Sequence, residues 1–463
     1  MNKKVMNKKV KWILVALIVF LVITIGVFLF KGSDKVSMVA NTLSMAKNVI
    51  NLLPIKEDTK KEVQTIDALV TEFTKKDGRE RRFLLLLQNN MELRPGGGFL
   101  GQYAVMKMKD GEVTGLTFED ANLLSQRIQA KVPAPYPFEK LIGRKKWKFE
   151  DSNFSPDYPT NVEKAKYFYR LAGGNNDFDG VIAANATTFA RTFELTGPMT
   201  LNGVELNSEN AVLKLEEMVE KKYLLNPDID TQNRKDMMKT LAAQMTEKLV
   251  SLNNISKLSS FVLEELRNKD VMLNFADSNL QRQVAEVHWD GSMNQDWSGD
   301  YFMMVDANMG ALKSDYYIKR RIEYNVDLTG EKPIAEVFLP YQHTATYGDW
   351  RTSDYHSYLR VYAPKGAKLL EREMVSYPLE AEEFGKSYFG FTLHVLINRG
   401  TNVRLKYELP ESVREGNYKL LIQKQSGVGD VPVKIKVKTK DGEFTKEDIL
   451  KKDLKFEIGE MKE

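Results

Sequence analysis

The stretch "QNNMELRPGGGFLGQ", residues 88–102, gathers more polar groups and more backbone freedom than a plain surface turn requires. Arg94 offers a planar guanidinium fork suited to a phosphate or a carboxylate. Gly96, Gly97 and Gly98 admit positive φ and let a ligand or another chain come close. Asn89 and Asn90 add amide donors and acceptors beside them. Two readings follow: a binding lip, or a tight turn in which Arg94 pairs with Glu92 or a nearby acid. A second candidate is "EDSNFSPDYPT", residues 150–160. Asp151, Asn153, Ser155 and Asp157 alternate as in the first half of a calcium loop. Pro156 stands where that loop turns on glycine and Val162 where it needs a carboxylate, so no metal is assigned. Asp157 reads instead as a turn residue or helix cap, with Asp151 pointing into the same cleft. Asp120, Asn185, Arg234 and Asn308 complete the candidates, Arg234 standing at a helix start where solvated charge is the ordinary reading.

Other chemistries find no foothold. The chain has no cysteine, which removes thiol nucleophiles and cysteine metal sites. Of four histidines, His288 alone falls in the region that reads as α/β, and no nucleophile elbow partners it. No Gly-Lys-Ser/Thr follows the triple glycine, so it is not a P-loop.

The candidates need elements to hold them. "FLLLLQ" (83–88), "DGVIAAN" (179–185) and "YFMMVDAN" (301–308) read as strands buried on both faces. If they are neighbours, their asparagine tips share one edge, where open α/β sheets collect ligands. Asp110-Gly111 and Asn202-Gly203 predict hairpins. Val63, Ile66, Val70 and Phe73 mark a helical stripe, and further helices are expected over 161–174, 208–225, 233–251 and 255–268. From about residue 313 the texture changes. "YYIKRRIEYNV", "AEVFLP", "SYLRVYAP", "YFGFTLHVLIN", "NVRLKYEL", "YKLLIQKQ" and "VPVKIKVK" are strand-like and predict an antiparallel sandwich of immunoglobulin-like size.

With 463 residues, 43% hydrophobic and 28% charged, the chain is globular and long enough for two or three domains. Lys3, Lys4, Lys8, Lys9 and Lys11 outweigh the whole formal charge of +4. The rest is close to neutral, which argues against a nucleic-acid partner. Residues 12–30, "WILVALIVFLVITIGVFLF", carry no charge. As a helix they span roughly 28 Å, close to the about 30 Å of a hydrocarbon core. The lysines before them predict a cytoplasmic N-terminus and a body outside the cell. The expected plan is a basic tail (1–11), a transmembrane helix (12–30), a helical stalk (31–78), an α/β domain with a mixed sheet flanked by helices (79–312) and the β-sandwich (313–463).

"LLLLQNNMELRPGGGFLGQY", "DSNFSPDYPTNVEKA", "FDGVIAANATTFARTFELTGPMTLNGVELNSEN" and "DYFMMVDANMGALKSDYYIKRRIEYNV" together resemble the bacterial family called domain of unknown function 4012. That resemblance implies an exported, membrane-anchored protein. "DGVIAANATTFARTFELTGPMTL" is more distantly similar to a segment of the LytR-CpsA-Psr phosphotransferases, which transfer glycopolymers from polyprenyl-pyrophosphate carriers. This sequence lacks that family's Asp-x-Arg, Ser-Asp-Thr-Met and Pro-Arg-Asp motifs. The first expectation is therefore a cell-envelope binding protein for a cell-wall glycan, peptide or partner protein, needing no cofactor. The alternative is a phosphotransferase on lipid-linked glycan, with Arg94 and Arg234 on pyrophosphate and Asp151 or Asp120 on Mg²⁺ or acting as base.

Overall fold

The computed structural model describes residues 57–218, 241, 244, 245, 248, 255–414 and 416–458. The basic tail, the expected transmembrane helix 12–30, the first part of the expected stalk and Arg234 lie outside the described residues. Among the described residues no helix is long and apolar enough to cross a membrane.

The chain forms two compact units. Among the described residues, one draws on 57–87, 102–120 and 176–290, the other on 88–101, 121–175 and 291–458. The polypeptide therefore passes between them several times.

The first unit carries β1 (Glu80–Arg94), β2 (Gly97–Lys109), β3 (Glu112–Asp120), β4 (Gly180–Asn185), β5 (Met199–Leu201), β6 (Val204–Leu206) and β7 (Val271–Phe275), though the Pro95-Gly96 end of the β1–β2 hairpin, residues 88–101, belongs to the second unit. Its main sheet has the order β3-β2-β1-β4-β7, so the first two of the three buried strands are neighbours. Asp110-Gly111 and Asn202-Gly203 turn β2 into β3 and β5 into β6 with positive φ at both positions, as two-residue hairpins require. The helix Glu57–Thr74 spends its apolar stripe on the core: Val63, Ile66, Val70 and Phe73 are buried with Phe83, Phe275 and Trp289. Gly180 lets β4 fit there, because a Cβ would stand 3.0 Å from both Phe83 and Phe275.

The second unit holds β8 (Asp300–Val305), β9 (Ile318–Arg320), β10 (Ile322–Asp327), β11 (Ile334–His343), β12 (Tyr355–Pro364), β13 (Lys368–Glu373), β14 (Ser376–Glu383), β15 (Lys386–Val395), β16 (Gly400–Glu408), β17 (Lys419–Ile422), β18 (Val431–Thr439), β19 (Gly442–Leu450) and β20 (Leu454–Glu457). Two sheets result, β13-β16-β11-β10-β18-β19 with β9 on β11, and β14-β15-β12-β8-β17-β20. Alternation drives the packing: Tyr324 and Val326 from one sheet meet Leu359, Phe391 and Ile422 from the other in one core. The strand-rich expectation holds, with two corrections. Neither sheet is wholly antiparallel, because β10 pairs with β18 and β8 with β17 in parallel. The third buried strand, β8, sits in the middle of the second sheet rather than beside β1 and β4. A strand buried on both faces looks the same in either setting.

Candidate functional site

The Pro95-Gly96 end of the β1–β2 hairpin lies in the second unit and is filled by polar contacts. Arg94 is only 3% exposed and every nitrogen of its fork is engaged. Nε donates to Asp151 Oδ1 at 2.8 Å and Nη2 to Glu92 at 2.9 Å, while Nη1 reaches the carbonyls of Leu93 and Asn308, each at 3.2 Å. Burial opposes the charge on Arg94, but Asp151 and Glu92 outweigh it and raise the pKa above its ordinary value. Asp151 is fully buried and accepts from Arg144 as well. Trp147 Nε1 fixes the Asp151 carbonyl at 2.8 Å.

The glycines serve close approach. A Cβ on Gly98 would stand 2.2 Å from the Asn89 carbonyl carbon and 2.3 Å from the Asn90 nitrogen. Gly98 is clasped between two amides: its N–H donates to Gln88 at 3.1 Å, and its carbonyl accepts from Asn153 Nδ2 at 2.6 Å. Gly97, at φ 129°, passes so near Gly427 that a Cβ on the latter would meet the Gly97 carbonyl at 2.7 Å. Asn90 donates to the Gly427 carbonyl at 2.8 Å, and the Asn89 side chain accepts from Met91 N at 3.1 Å.

A second set of buried charges continues this network. Asn308 donates to Asp315 at 2.9 Å and accepts from Ala311 N at 2.8 Å. Arg320 bridges Asp306 and Asp315, each at 2.7 Å, and Gln425 ties the carbonyls of Arg94 and Asp306 together. Buried charges persist only when paired and hydrogen-bonded. Arg94, Asp151, Asn153, Asn89, Asn90, Gly97 and Asn308 are thus brought together, as joints between the hairpin and the sheets. Asp157 caps the helix Tyr158–Leu171 by accepting from Thr160 N at 3.1 Å.

The remaining candidates lie elsewhere. Asn185 ends β4 in the first unit and donates to Asp270 at 3.1 Å. Asp120 ends β3 in that unit, opposite Gln102. Beside Asn185, Glu265 accepts from Thr188 at 2.5 Å and pairs with Arg191. Burial first, then Asp270, pushes the Glu265 pKa up to about 7.

The exposed chemistry stands on the connection between β11 and β12, residues 344–354. Tyr347 is 69% exposed, and Tyr316 and Leu312 nearby are more than 40% exposed. Asp349 Oδ2 accepts from Arg351 Nε at 2.9 Å and Nη2 at 2.6 Å, and the guanidinium lies 5.8 Å from the Trp350 ring centre. Asp349 Oδ1 accepts the backbone N–H groups of Arg351 and Thr352 at 2.8 and 3.2 Å. Burial opposes its charge, yet these donors hold the Asp349 carboxyl below its usual range. Tyr316 and Tyr317 meet edge to face at 5.1 Å, and the phenol of Tyr317, raised mainly by burial, feels Arg351, Asp349, Tyr316 and Tyr347 together. Sequence reasoning passed over this cluster. Its signal was "YGDWR", two aromatic residues inside a connection where small turn residues are the rule.

No protein with curated annotation matches the chain. Residues 78–219 match the family described as Protein of unknown function (DUF4012).

Proposed function

We propose that the protein is a membrane-anchored, extracytoplasmic binding protein of the cell envelope, and that its ligand is a surface glycan. The observation that carries this reading is the pair of exposed rings, Tyr347 on the connection and Tyr316 nearby, beside the partly buried Trp350 and the preformed Arg351–Asp349 pair. Sugar rings offer apolar C–H faces that stack on Tyr and Trp and hydroxyls that suit planar charged groups. The two-sheet region presents this connection on a rigid frame, as binding loops require. The uncharged run 12–30 supports the anchor. The phosphotransferase alternative would need Arg94 and Asp151 free to hold pyrophosphate and Mg²⁺, whereas they are bonded to each other in the buried network. A binding role calls for no cofactor.

The test is co-sedimentation of the full chain with insoluble cell-wall glycan in detergent, with Tyr347→Ala and Trp350→Ala beside it. Each variant is expected to lose at least about tenfold in retention, as truncation of an aromatic anchor does. Equal retention by all three, or crosslinking from position 347 to protein and never to glycan, overturns the glycan assignment. Fractionation tests the anchor: removing residues 12–30 should release the protein from membranes, and continued sedimentation with them would refute it.

A further inference from the structure

Two of the four histidines in the chain face each other on adjacent strands. His356 of β12 and His394 of β15 are direct antiparallel partners, so both side chains leave the same face of the sheet. Their rings lie 4.2 Å apart at 14°, and both residues are exposed. Asp354, two residues before His356, brings Oδ2 to 4.0 Å from His394 Nε2, while its Oδ1 is held by the backbone N–H of Ile397 at 2.9 Å.

We infer that His356 and His394 form a two-imidazole chelate for a borderline divalent cation, copper(II) before zinc(II), with Asp354 orienting His394. The geometry needs little adjustment. Metal–nitrogen bonds of about 2.0–2.1 Å place two ligand nitrogens roughly 2.9 Å apart at the right angle of a tetragonal copper(II) site and roughly 3.3 Å apart at the tetrahedral angle of zinc(II). The rings already lie 4.2 Å apart, and the broad terminal torsion of histidine lets them turn their lone pairs toward a common point. Imidazole suits copper and zinc, and copper(II) heads the order of affinities at a given nitrogen site. Asp354 Oδ2, 4.0 Å from His394 Nε2, is outside hydrogen-bond distance but near enough to close on that nitrogen once His394 ligates through Nδ1, which is how a carboxylate orients a ligating histidine. Among the described residues no group of three or more His, Asp or Glu side chains is gathered for a metal. The site is accordingly a bidentate one, completed by water.

The experiment titrates the full chain in detergent with copper(II) chloride alone, and in parallel with zinc(II) chloride, read by calorimetry and, for copper, by electron paramagnetic resonance. His356→Phe and His394→Phe keep a stacked ring and remove the donor nitrogens. His288→Asn serves as control, since His288 is exposed at a positive φ that asparagine tolerates. Expected are one copper per chain with two equatorial nitrogens, and affinity weakened at least about tenfold in each Phe variant, since even an outer-sphere partner is worth that much. The His288→Asn variant should bind as the parent does. Equal affinity in the parent and both Phe variants, or a spectrum without equatorial nitrogen, overturns the chelate, and unchanged thermal melting of the variants excludes misfolding as the cause of a loss.

Discussion

Arg94–Asp151 and Arg351–Asp349 are the same chemical pair in two settings. In the first, the guanidinium is buried, shares its fork among two carboxylates and two carbonyls, and is raised in pKa by its partners. In the second, both contacts fall on one carboxylate oxygen beside a tryptophan ring, and about a third of the Arg351 side chain stays exposed. A glycine-rich turn with an arginine suggests a lip for an anion, and here the arginine is consumed by the fold. The less conspicuous pair is the one left facing solvent. Residue type proposes chemistry, and burial with partner count decides which groups remain free to perform it.

Removing the acid of the buried pair carries the largest expected effect. Asp151→Ala leaves Arg94 buried without its main partner and is expected to cost about 3–5 kcal/mol in urea unfolding. Replacing Arg94 and Asp151 together by Met and Leu should recover much of that loss, because the penalty lies in the stranded charge. If Asp151→Ala melts like the parent, the network is not structural and the binding-lip reading returns.

Asp300 sharpens the contrast by lacking a cation. It is fully buried and accepts from Tyr324 Oη at 2.9 Å, Tyr418 Oη at 2.5 Å and Tyr301 N at 2.7 Å. Burial outweighs these donors and pushes its pKa up to about 7. The folded state therefore holds its proton more tightly than the unfolded chain does. The associated stability is complete below the unfolded value near 4 and is lost as pH rises through 7. Urea unfolding should weaken by about 1.4 kcal/mol per pH unit between pH 5 and 7 from this group. Glu265, also raised to about 7, adds in the same direction from the first unit. Asp300→Asn should flatten the slope by about half, and Asp300→Asn with Glu265→Gln should remove it. A stability that rises over this interval would contradict both assignments.

What was legible in the sequence follows the same rule. The seven strands read from residue 313 onward alternate apolar and polar residues or are buried on both faces. β13, β14, β19 and β20 went unread, and they are the four edges of the two sheets. Their burial is sparse: β13 runs Lys368–Glu373 with one partly buried residue, and β19 buries Leu450 alone. Edge strands carry charge to resist pairing with other chains, which removes the signal that reveals a strand. Around the candidate site, the sequence showed that Arg94, Asp151, Asn153 and Asn308 were chemically distinctive. It held no measure of their burial, since that depends on contacts such as Leu93 N to Asp315, 222 residues apart.

Gly98→Ala tests the hairpin without touching a charge. Its Cβ would meet the backbone of Asn89 and Asn90 near 2.3 Å, and backbone cannot swing aside as a side chain can. The expected loss is about 1–3 kcal/mol, the cost of overpacking, read from the shift in the urea midpoint. A neutral result would mean that the strand ends part easily and that the glycines leave room for a ligand after all.

The smallest effect is expected at the exposed pair. Arg351→Ala removes a partly exposed guanidinium, and such pairs contribute about 0–1 kcal/mol. The turn itself survives because Asp349 Oδ1 is held by two backbone N–H groups that the substitution leaves in place. Thermal melting should therefore stay within about 0.5 kcal/mol of the parent, while retention on cell-wall glycan falls with the loss of the planar donor. Asp349→Ala strips the acceptor from both backbone groups and should destabilise more than Arg351→Ala. If the order is reversed, the guanidinium is anchoring the connection, and the exposed pair belongs to the architecture along with Arg94.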